Sequence, residues 1–242
     1  MLQNSPKATG IGTSLPTNSG GYELAIPKEL LPRIDIHMVD LTTYDIAPSI
    51  PKPVSSAQEL TPLPFEPSSL DLVICDGQWV LNPDNFLRPW NWTRLQISQL
   101  LIALRAVSPE GTIFLRLASV ERTLTGRILL ALCRIANIVR TTKSSQFQAL
   151  RSYFYVLVQQ VKPDSEEYKE LVRALERLWY IMTFEGEEGY GRDITSDDEE
   201  AITSIKELTS EQGLQNIVRL GTPVWNVQHR ALSSFLCSQG VF

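Results

Sequence analysis

Apolar and polar positions over the first two thirds of the chain follow two alternating periods, one typical of strands and one typical of helices. The stretch DLVICDG, residues 71–77, places four apolar residues directly before Asp-Gly, which is typical of a strand covered on both faces. After it, residues 91–107 repeat apolar positions at helical spacing, and Pro109-Glu-Gly predicts the end of that helix. The pattern therefore predicts a buried strand followed by a long helix.

The remaining elements of this region follow from the same criteria. Strands are predicted at 8–15, 34–41, 69–76, 111–118, 138–143 and 152–161. A second helix is predicted at 123–137, with Thr123 or Thr125 as its N-cap. The Pro- and Ser-rich segment 46–68 is expected to be an ordered or semi-ordered loop. Strands alternating with helices predict an α/β domain with a mainly parallel sheet.

The pattern changes after Pro163. Residues 164–184 predict a helix capped by Asp164, and 185–200 predict an acidic, mobile loop. The residues after this loop predict further helices. We therefore expect an α/β domain over 1–162 and an acidic helical extension over 163–242.

Charge divides the chain at the same place. Residues 1–162 carry 15 Lys and Arg against 12 Asp and Glu, whereas 163–242 carry 7 against 15, which together give the net charge of −5. Between Arg105 and Arg151 there are eight basic and two acidic side chains. This basic run either faces phosphates or forms the solvated faces of two helices. The acidic extension is suited to a basic protein partner.

Several classes of protein are disfavoured by what the sequence lacks. No apolar run approaches the roughly 20 residues that span a bilayer, so no membrane association is expected. The two histidines have no neighbours at metal-ligand spacing, and no P-loop or G-x-S-x-G motif occurs. The scattered cysteines, Cys75, Cys133 and Cys237, are typical of a reducing compartment, which predicts a cytoplasmic or nuclear protein.

The order of the pieces is more specific than any one of them. The stretches GIGTSLP with GGYEL, DLVICDGQ, LQISQLLIALRAVSPEGTIFLRL and LRSYFYVLV together resemble the FtsJ-like family of S-adenosylmethionine-dependent RNA ribose 2′-O-methyltransferases, in particular its divergent fungal members. The resemblance covers residues 8–161. It implies a class I methyltransferase, Rossmann-like sheet with helices on both faces, S-adenosylmethionine as cofactor and RNA as partner.

The resemblance also implies roles for individual residues. Asp76 matches the aspartate of the family's Lys-Asp-Lys-Glu catalytic set and lies beside the methyl donor. Asp40 matches the acidic position that contacts adenine, and Leu41 and Gly77 complete the expected cofactor-binding set. Methyl transfer needs a positioned acceptor hydroxyl that loses its proton, and a carboxylate can hold a neighbouring cation in place for that purpose.

The sequence departs from the family at three of the four catalytic positions. The family's first strand, its glycine-rich loop and the first lysine belong before Ala8, where seven residues stand, so we expect a domain that lacks its first strand and a weakened donor site. Arg116 replaces the second lysine, and Tyr153 replaces the glutamate. Arginine stays protonated at any working pH, so Arg116 can bind a phosphate or pair with Asp76 but cannot be a general base.

Three interpretations of function remain open. The chain is a fragment of an active methyltransferase, or it is a non-catalytic interaction module of the same family. A nicotinamide-dependent oxidoreductase is less favoured, because GIGTSL has two of the three glycines of that fingerprint and no strand before it. Trp90 and Trp92 either stack on a base or serve as packing residues.

Overall fold

A computed structural model of the protein describes residues 5–54, 58–78 and 88–240. Within these residues, strands and helices alternate from residue 70 to residue 142, and helices alone follow residue 161. The strands are β1 (Gly10–Ser14), β2 (Ile34–Met38), β3 (Leu70–Cys75), β4 (Val107–Ala118), β5 (Ala136–Thr142) and β6 (Tyr153–Val161). The helices are α1 (Asn91–Ala106), α2 (Thr123–Ile135), α3 (Glu166–Phe184), α4 (Ser196–Glu199), α5 (Ile205–Leu208) and α6 (Glu211–Ser238).

Four of the strands form one sheet in the order β3-β4-β6-β5. β3 pairs in parallel with β4, with Val73 opposite Ile113 and Cys75 opposite Leu115. β6 pairs antiparallel with both β4 and β5, so within this sheet it alone runs against the other strands. The prediction of a mixed α/β fold with a mainly parallel sheet is confirmed.

β1 and β2 form a separate parallel pair, with Gly10 opposite Ile34 and Ser14 opposite Met38. In the described parts of the chain, no strand pairing joins this pair to β3, and a cavity of about 1070 Å³ lies between them. The region just after β2 lies near the start of α1, because Arg94 in its first turn donates a hydrogen bond to Thr42 Oγ1 at 2.8 Å. β2 and β3 therefore end on the same side of the molecule.

The boundary between α1 and β4 differs from the prediction. α1 ends at Ala106, and β4 begins at the next residue, so Pro109-Glu-Gly lies inside the strand instead of ending the helix. The register between β3 and β4 shifts between Leu70, opposite Val107, and Leu72, opposite Thr112. Glu110 has a φ of 62°, in the left-handed region, where the extra residues of this bulge turn the chain.

One hydrophobic core extends across the expected boundary at 162/163. The side chains of Leu175 and Trp179 on α3 are fully buried in the same cluster as Leu104 of α1 and Val156 of β6. The buried Glu176 pairs with Arg105 of α1. The division into 1–162 and 163–242 stays a prediction about the sequence, but α3 packs as part of the α/β core.

Two helix caps differ from those predicted. α3 is capped by Ser165, whose hydroxyl accepts a hydrogen bond from the amide of Tyr168, and not by Asp164. At α2 the N-cap is Arg122, which makes no side-chain capping hydrogen bond. Thr125 instead donates to the carbonyl of Ala118 at 2.8 Å. At both helices, the hydrogen-bond partner of the serine or threonine side chain depends on the path of the chain. Composition alone does not define that path.

Two predicted loops contain ordered contacts. In segment 46–68, of which 55–57 lie outside the described residues, Thr61 pairs with the chain near Tyr44, since its amide donates to the Thr43 carbonyl at 2.9 Å. The acidic segment 185–200 contains α4, whose cap residue Thr195 and Asp198 form a reciprocal capping box. Its predicted mobility stays a prediction.

Candidate functional site

The larger cavity lies where β2 and β3 end. Asp40 follows β2 by two residues and Asp76 directly follows β3, and both border the cavity. Leu41 and Gly77 border it as well. The structure thus brings the four cofactor-binding candidates around one space, because parallel strands deliver the residues after them to one edge.

The walls between the two aspartates are mainly apolar and aromatic. Val39, Tyr44 and Phe65 border the cavity on the Asp40 side, and Leu95 and Ile102 of α1 border it as well. Apolar and aromatic walls with a few carboxylates suit a planar heterocycle and a cationic centre. These residues therefore fit the expected methyl donor, a nucleoside with a sulfonium.

Asp40 also shapes the chain that follows it. Its Oδ1 accepts hydrogen bonds from the amide of Thr42 at 2.9 Å and from the Thr42 hydroxyl at 2.8 Å. The carboxylate thereby caps a short 3₁₀ turn, Leu41–Thr43. Burial lowers the pKa of the nearby Arg94 guanidinium, and the negative charge of Asp40 opposes that change. The two hydrogen bonds from Thr42 thus hold the Asp40 side chain in a fixed direction at the cavity wall.

Asp76 forms a three-residue cluster with groups from β4 and β6. Its Oδ1 lies 3.3 Å from Nε of Arg116 and 3.2 Å from the hydroxyl of Tyr155. Arg116 Nη2 donates to the Gly77 carbonyl at 3.0 Å. The structure therefore places the two catalytic candidates, Asp76 and Arg116, in direct contact.

Gly77 is held by the side chain of Gln99 on α1. The Gly77 amide donates to Gln99 Oε1 at 2.7 Å, and Gln99 Nε2 donates to the Gly77 carbonyl at 3.2 Å. A Cβ on Gly77 would lie 3.0 Å from Gln99 Oε1, so this close approach favours glycine. The turn after β3 is thus fixed by two hydrogen bonds between the backbone of Gly77 and the buried side-chain amide of Gln99.

Sequence reasoning missed Gln99 and Tyr155. Gln99 is a polar residue on the apolar face of α1, and that mismatch with the helical pattern is the signal that marks it. No comparable signal marks Tyr155. Its ring stacks on the ring of Phe114, with the two centroids 4.8 Å apart, so Tyr155 resembles an ordinary packing residue of the sheet. Its contact with Asp76 follows from the pairing of β4 with β6.

The two tryptophans have different environments. The indole N–H of Trp90 donates to the carbonyl of Met182 at 3.1 Å, so Trp90 packs against the end of α3. Trp92 is 43% exposed and borders a smaller pocket of about 40 Å³ together with Arg116 and Tyr153. The packing interpretation thus describes Trp90, and Trp92 stays available to a ligand.

Most of the basic run is paired inside the molecule. Arg105, Arg127 and Arg134 pair with glutamates of α3, of the segment at the end of α4, and of α5. Lys143 donates to three backbone carbonyls. Exposed basic side chains in this run are Arg122, Arg140 and Arg151. The two alternatives for this run, phosphate contact and a solvated face, therefore concern mainly these three side chains, because glutamates and backbone carbonyls pair with most of the others.

The described residues contain neither a metal-ligand cluster nor a membrane-spanning helix. In residues 5–54, 58–78 and 88–240 no three His, Cys, Asp or Glu side chains come together as metal ligands. His37 contacts Asp35 at 3.0 Å on exposed strand β2. Of the helices just described, none is long and apolar enough to cross a bilayer.

Comparisons with known proteins give distant structural likenesses. No protein-family model matches the sequence, and no curated protein matches it. The solved structure titled "Alphavirus P23pro-zbd" is 15% identical with a TM-score of 0.35, and it covers 81% of this chain and 26% of its own. A probable spermidine synthase from Corynebacterium glutamicum is 13% identical with a TM-score of 0.38, over 84% of this chain and 63% of its own.

These likenesses add nothing to the functional argument. The chain spans about a quarter of one of these proteins and under two thirds of the other. The functional conclusion therefore rests on the site itself.

Proposed function

We propose that the protein binds S-adenosylmethionine in the cavity between β2 and β3 and belongs to the methyltransferase type, with an RNA ribose as acceptor. The observation that carries the proposal is that Asp40, two residues after β2, and Asp76, directly after β3, border one cavity of about 1070 Å³. The interruption of the sheet between β1 and β3 also accords with a methyltransferase sheet that lacks its first strand.

Each wall of the cavity has a chemical role in this proposal. Asp40 accepts hydrogen bonds from the nucleoside, and the side chains of Leu41 and Phe65 pack against its base. Asp76 and the backbone of Gly77 lie at the reacting end. S-adenosylmethionine, when bound, supplies an electrophilic methyl group. The protein's own contribution is to orient the acceptor and exclude water around Asp76.

Calorimetry with S-adenosylmethionine and its demethylated product tests donor binding. Asp40→Asn keeps a residue that caps helical turns well but removes the charge, so the fold is retained. We expect this change to weaken donor binding by about tenfold, which corresponds to the loss of one charged hydrogen bond. Asp35→Asn is the matched control, since Asp35 is an exposed carboxylate on β2, the strand that Asp40 follows, and does not border the cavity.

Two results would count against donor binding. One is the absence of heat at millimolar donor with the wild-type protein. The other is an equal loss of affinity in Asp35→Asn and Asp40→Asn, which would point to a general charge effect and not to a site.

A non-catalytic binding function is the second candidate, and the surroundings of Asp76 favour it. The titratable groups that contact Asp76 in the described residues are Arg116 and Tyr155. A guanidinium stays protonated, and burial, followed by the charge of Asp76, raises the pKa of Tyr155 above its usual value. Neither group is a general base near neutral pH.

Transfer of tritiated methyl groups to total RNA separates the two candidates. Under the non-catalytic proposal, neither the wild type nor Arg116→Lys incorporates label, because an amine alone has no aligned acceptor to deprotonate. Incorporation by the wild type would establish turnover. Incorporation by Arg116→Lys alone would show that the donor site is complete and that the guanidinium is what prevents the reaction.

A further inference from the structure

The smaller pocket adjoins Arg116. Trp92, Gln96, Arg116 and Tyr153 border it, together with Gly77 at the point where it meets the larger cavity. Its volume of about 40 Å³ exceeds the roughly 10–15 Å³ that one water needs. The space therefore admits a small polar group of several atoms.

Two of the side chains that border this pocket carry a buried donor without an acceptor among the described residues. Nη1 of Arg116 and Nε2 of Gln96 are buried from solvent, and no atom of the described residues accepts from either. The Arg116 side chain is 6% exposed, and its Nε and Nη2 are already directed at Asp76 and Gly77. A buried donor without an acceptor is unfavourable, so the pocket is built for an acceptor that the described chain does not supply.

The charge around the pocket favours an anionic acceptor. None of the described residues that border it is a carboxylate, whereas Asp76 borders the larger cavity. Arg116 thus has its carboxylate partner on one side and an open donor on the other. Guanidinium and amide donors together are the usual partners of phosphate oxygens.

Aromatic groups flank the donors. Arg116 lies over the ring of Tyr153, with its guanidinium carbon 4.8 Å from the ring centroid, which fixes the guanidinium plane. The half-exposed indole of Trp92 forms the outer wall. A flat aromatic surface beside phosphate donors suits a nucleotide, whose base can stack while its phosphate is bound.

We propose that Arg116 and Gln96 bind a phosphate oxygen of the nucleotide that follows the acceptor ribose. This inference rests on the proposed RNA acceptor and specifies how that acceptor is held. In RNA the 2′-hydroxyl adjoins the 3′-phosphate on the same ribose. A phosphate bound at Nη1 of Arg116 therefore places the neighbouring 2′-hydroxyl near the guanidinium whose Nε lies 3.3 Å from Asp76 Oδ1.

Binding of uridine 3′-monophosphate, with uridine as its uncharged counterpart, tests the proposal by calorimetry. We expect uridine to bind at least about tenfold more weakly, since it lacks the charged hydrogen bonds. Gln96→Leu removes one donor and keeps a side chain of similar size. We expect it to weaken the affinity for the monophosphate by about tenfold and to leave the affinity for uridine unchanged. Gln215→Leu, at an exposed glutamine of α6, is the matched control.

A second measurement is made on the wild-type protein and needs a variant only to assign one resonance. The indole N–H resonance of Trp92, assigned from its loss in Trp92→Phe, should shift on titration with uridine 3′-monophosphate in the otherwise unchanged protein. Equal affinity for uridine and its monophosphate, or a Trp92 signal that does not move, would overturn the proposal and leave a pocket for water. Donor calorimetry on the same sample reports separately on S-adenosylmethionine, so failure of one site is distinguishable from failure of the other.

Discussion

The indole N–H of Trp90 donates a hydrogen bond to the backbone carbonyl of Met182, 3.1 Å away, and joins the start of α1 to the last turns of α3. The Met182 carbonyl lies near the C-terminal end of its helix, where carbonyls lack partners further along the chain. The contact therefore connects the turn after the candidate site to the C-terminal helices.

We expect Trp90→Phe to lower the free energy of unfolding by about 1–3 kcal/mol, since it removes the donor and leaves a half-buried carbonyl without its partner. Urea denaturation measures this change. Trp92→Phe is the matched control, because Trp92 is 43% exposed and its substitution should change stability by less than about 0.5 kcal/mol. Equal destabilisation by both changes would contradict the assignment of packing to Trp90 alone.

Acid should loosen the segment before α4. Hydrogen bonding to Arg192 holds the pKa of Asp198 well below its usual value. A carboxyl group whose pKa is lower in the folded state stabilises the fold at pH values above its unfolded pKa of about 4. That stability is lost as the pH falls toward the pKa of the folded state. Asp198→Asn should cost about 1 kcal/mol at pH 7 through the weakened cap. The difference between the urea midpoints of Asp198→Asn and the wild type should shrink below about pH 4. A difference that stays constant down to about pH 2.5 would contradict this prediction.

The three thiols should react at very different rates. Cys75 is buried, and burial, with the charge of Asp76, raises its pKa to about 12, whereas Cys237 is exposed. Iodoacetamide at pH 8 should therefore label Cys237 first and leave Cys75 unlabelled in the folded protein, because the thiolate is the nucleophile. Mass spectrometry of the digested protein identifies the sites. Labelling of Cys75 at a rate like that of Cys237 would mean that β3 opens readily.

In the described residues β3 pairs with another strand on one edge only, and its other edge should promote self-association. Ile74 is 63% exposed although its neighbours Val73 and Cys75 are buried, and it borders the interrupted part of the sheet. An apolar, unpaired strand edge is a template for pairing with another chain. Ile74→Lys should shift the protein toward monomer in sedimentation at high concentration. Leu214→Lys, at a 52% exposed leucine of α6, should not. The same change in both variants would assign the effect to net charge.

The elements of the α/β region are predictable from the sequence because they depend on local periodicity. All six expected strands are present, and Asp76 lies at the end of β3 as the pattern requires. The end of α1 was not predictable, since Glu110 turns the chain within a strand whose register depends on β3. Its left-handed conformation depends on pairing with a strand some 40 residues earlier, which periodicity does not report.

The candidate site was predictable only in part. Asp40 and Asp76 follow strands and could be found from the order of elements. The contact of Asp76 with Tyr155 requires the antiparallel return of β6 beside β4, which the sequence does not specify. The pairing of the basic run was also not predictable from the sequence, because Arg127 and Arg134 contact their glutamates only when the C-terminal helices fold back.

The separation of β1 and β2 from the rest of the sheet has a consequence for cooperativity. Their ties to the remaining structure include a hydrogen bond between Thr13 and Tyr44 at 3.3 Å and the contact of Arg94 with Thr42. Because no strand pairing in the described residues joins this unit to the four-stranded sheet, it should open well below the global free energy of unfolding. Amide hydrogens of β1 and β2 should then exchange sooner than those of β4. A ligand that bridges Asp40 and Asp76 would couple the two units and make their exchange rates converge.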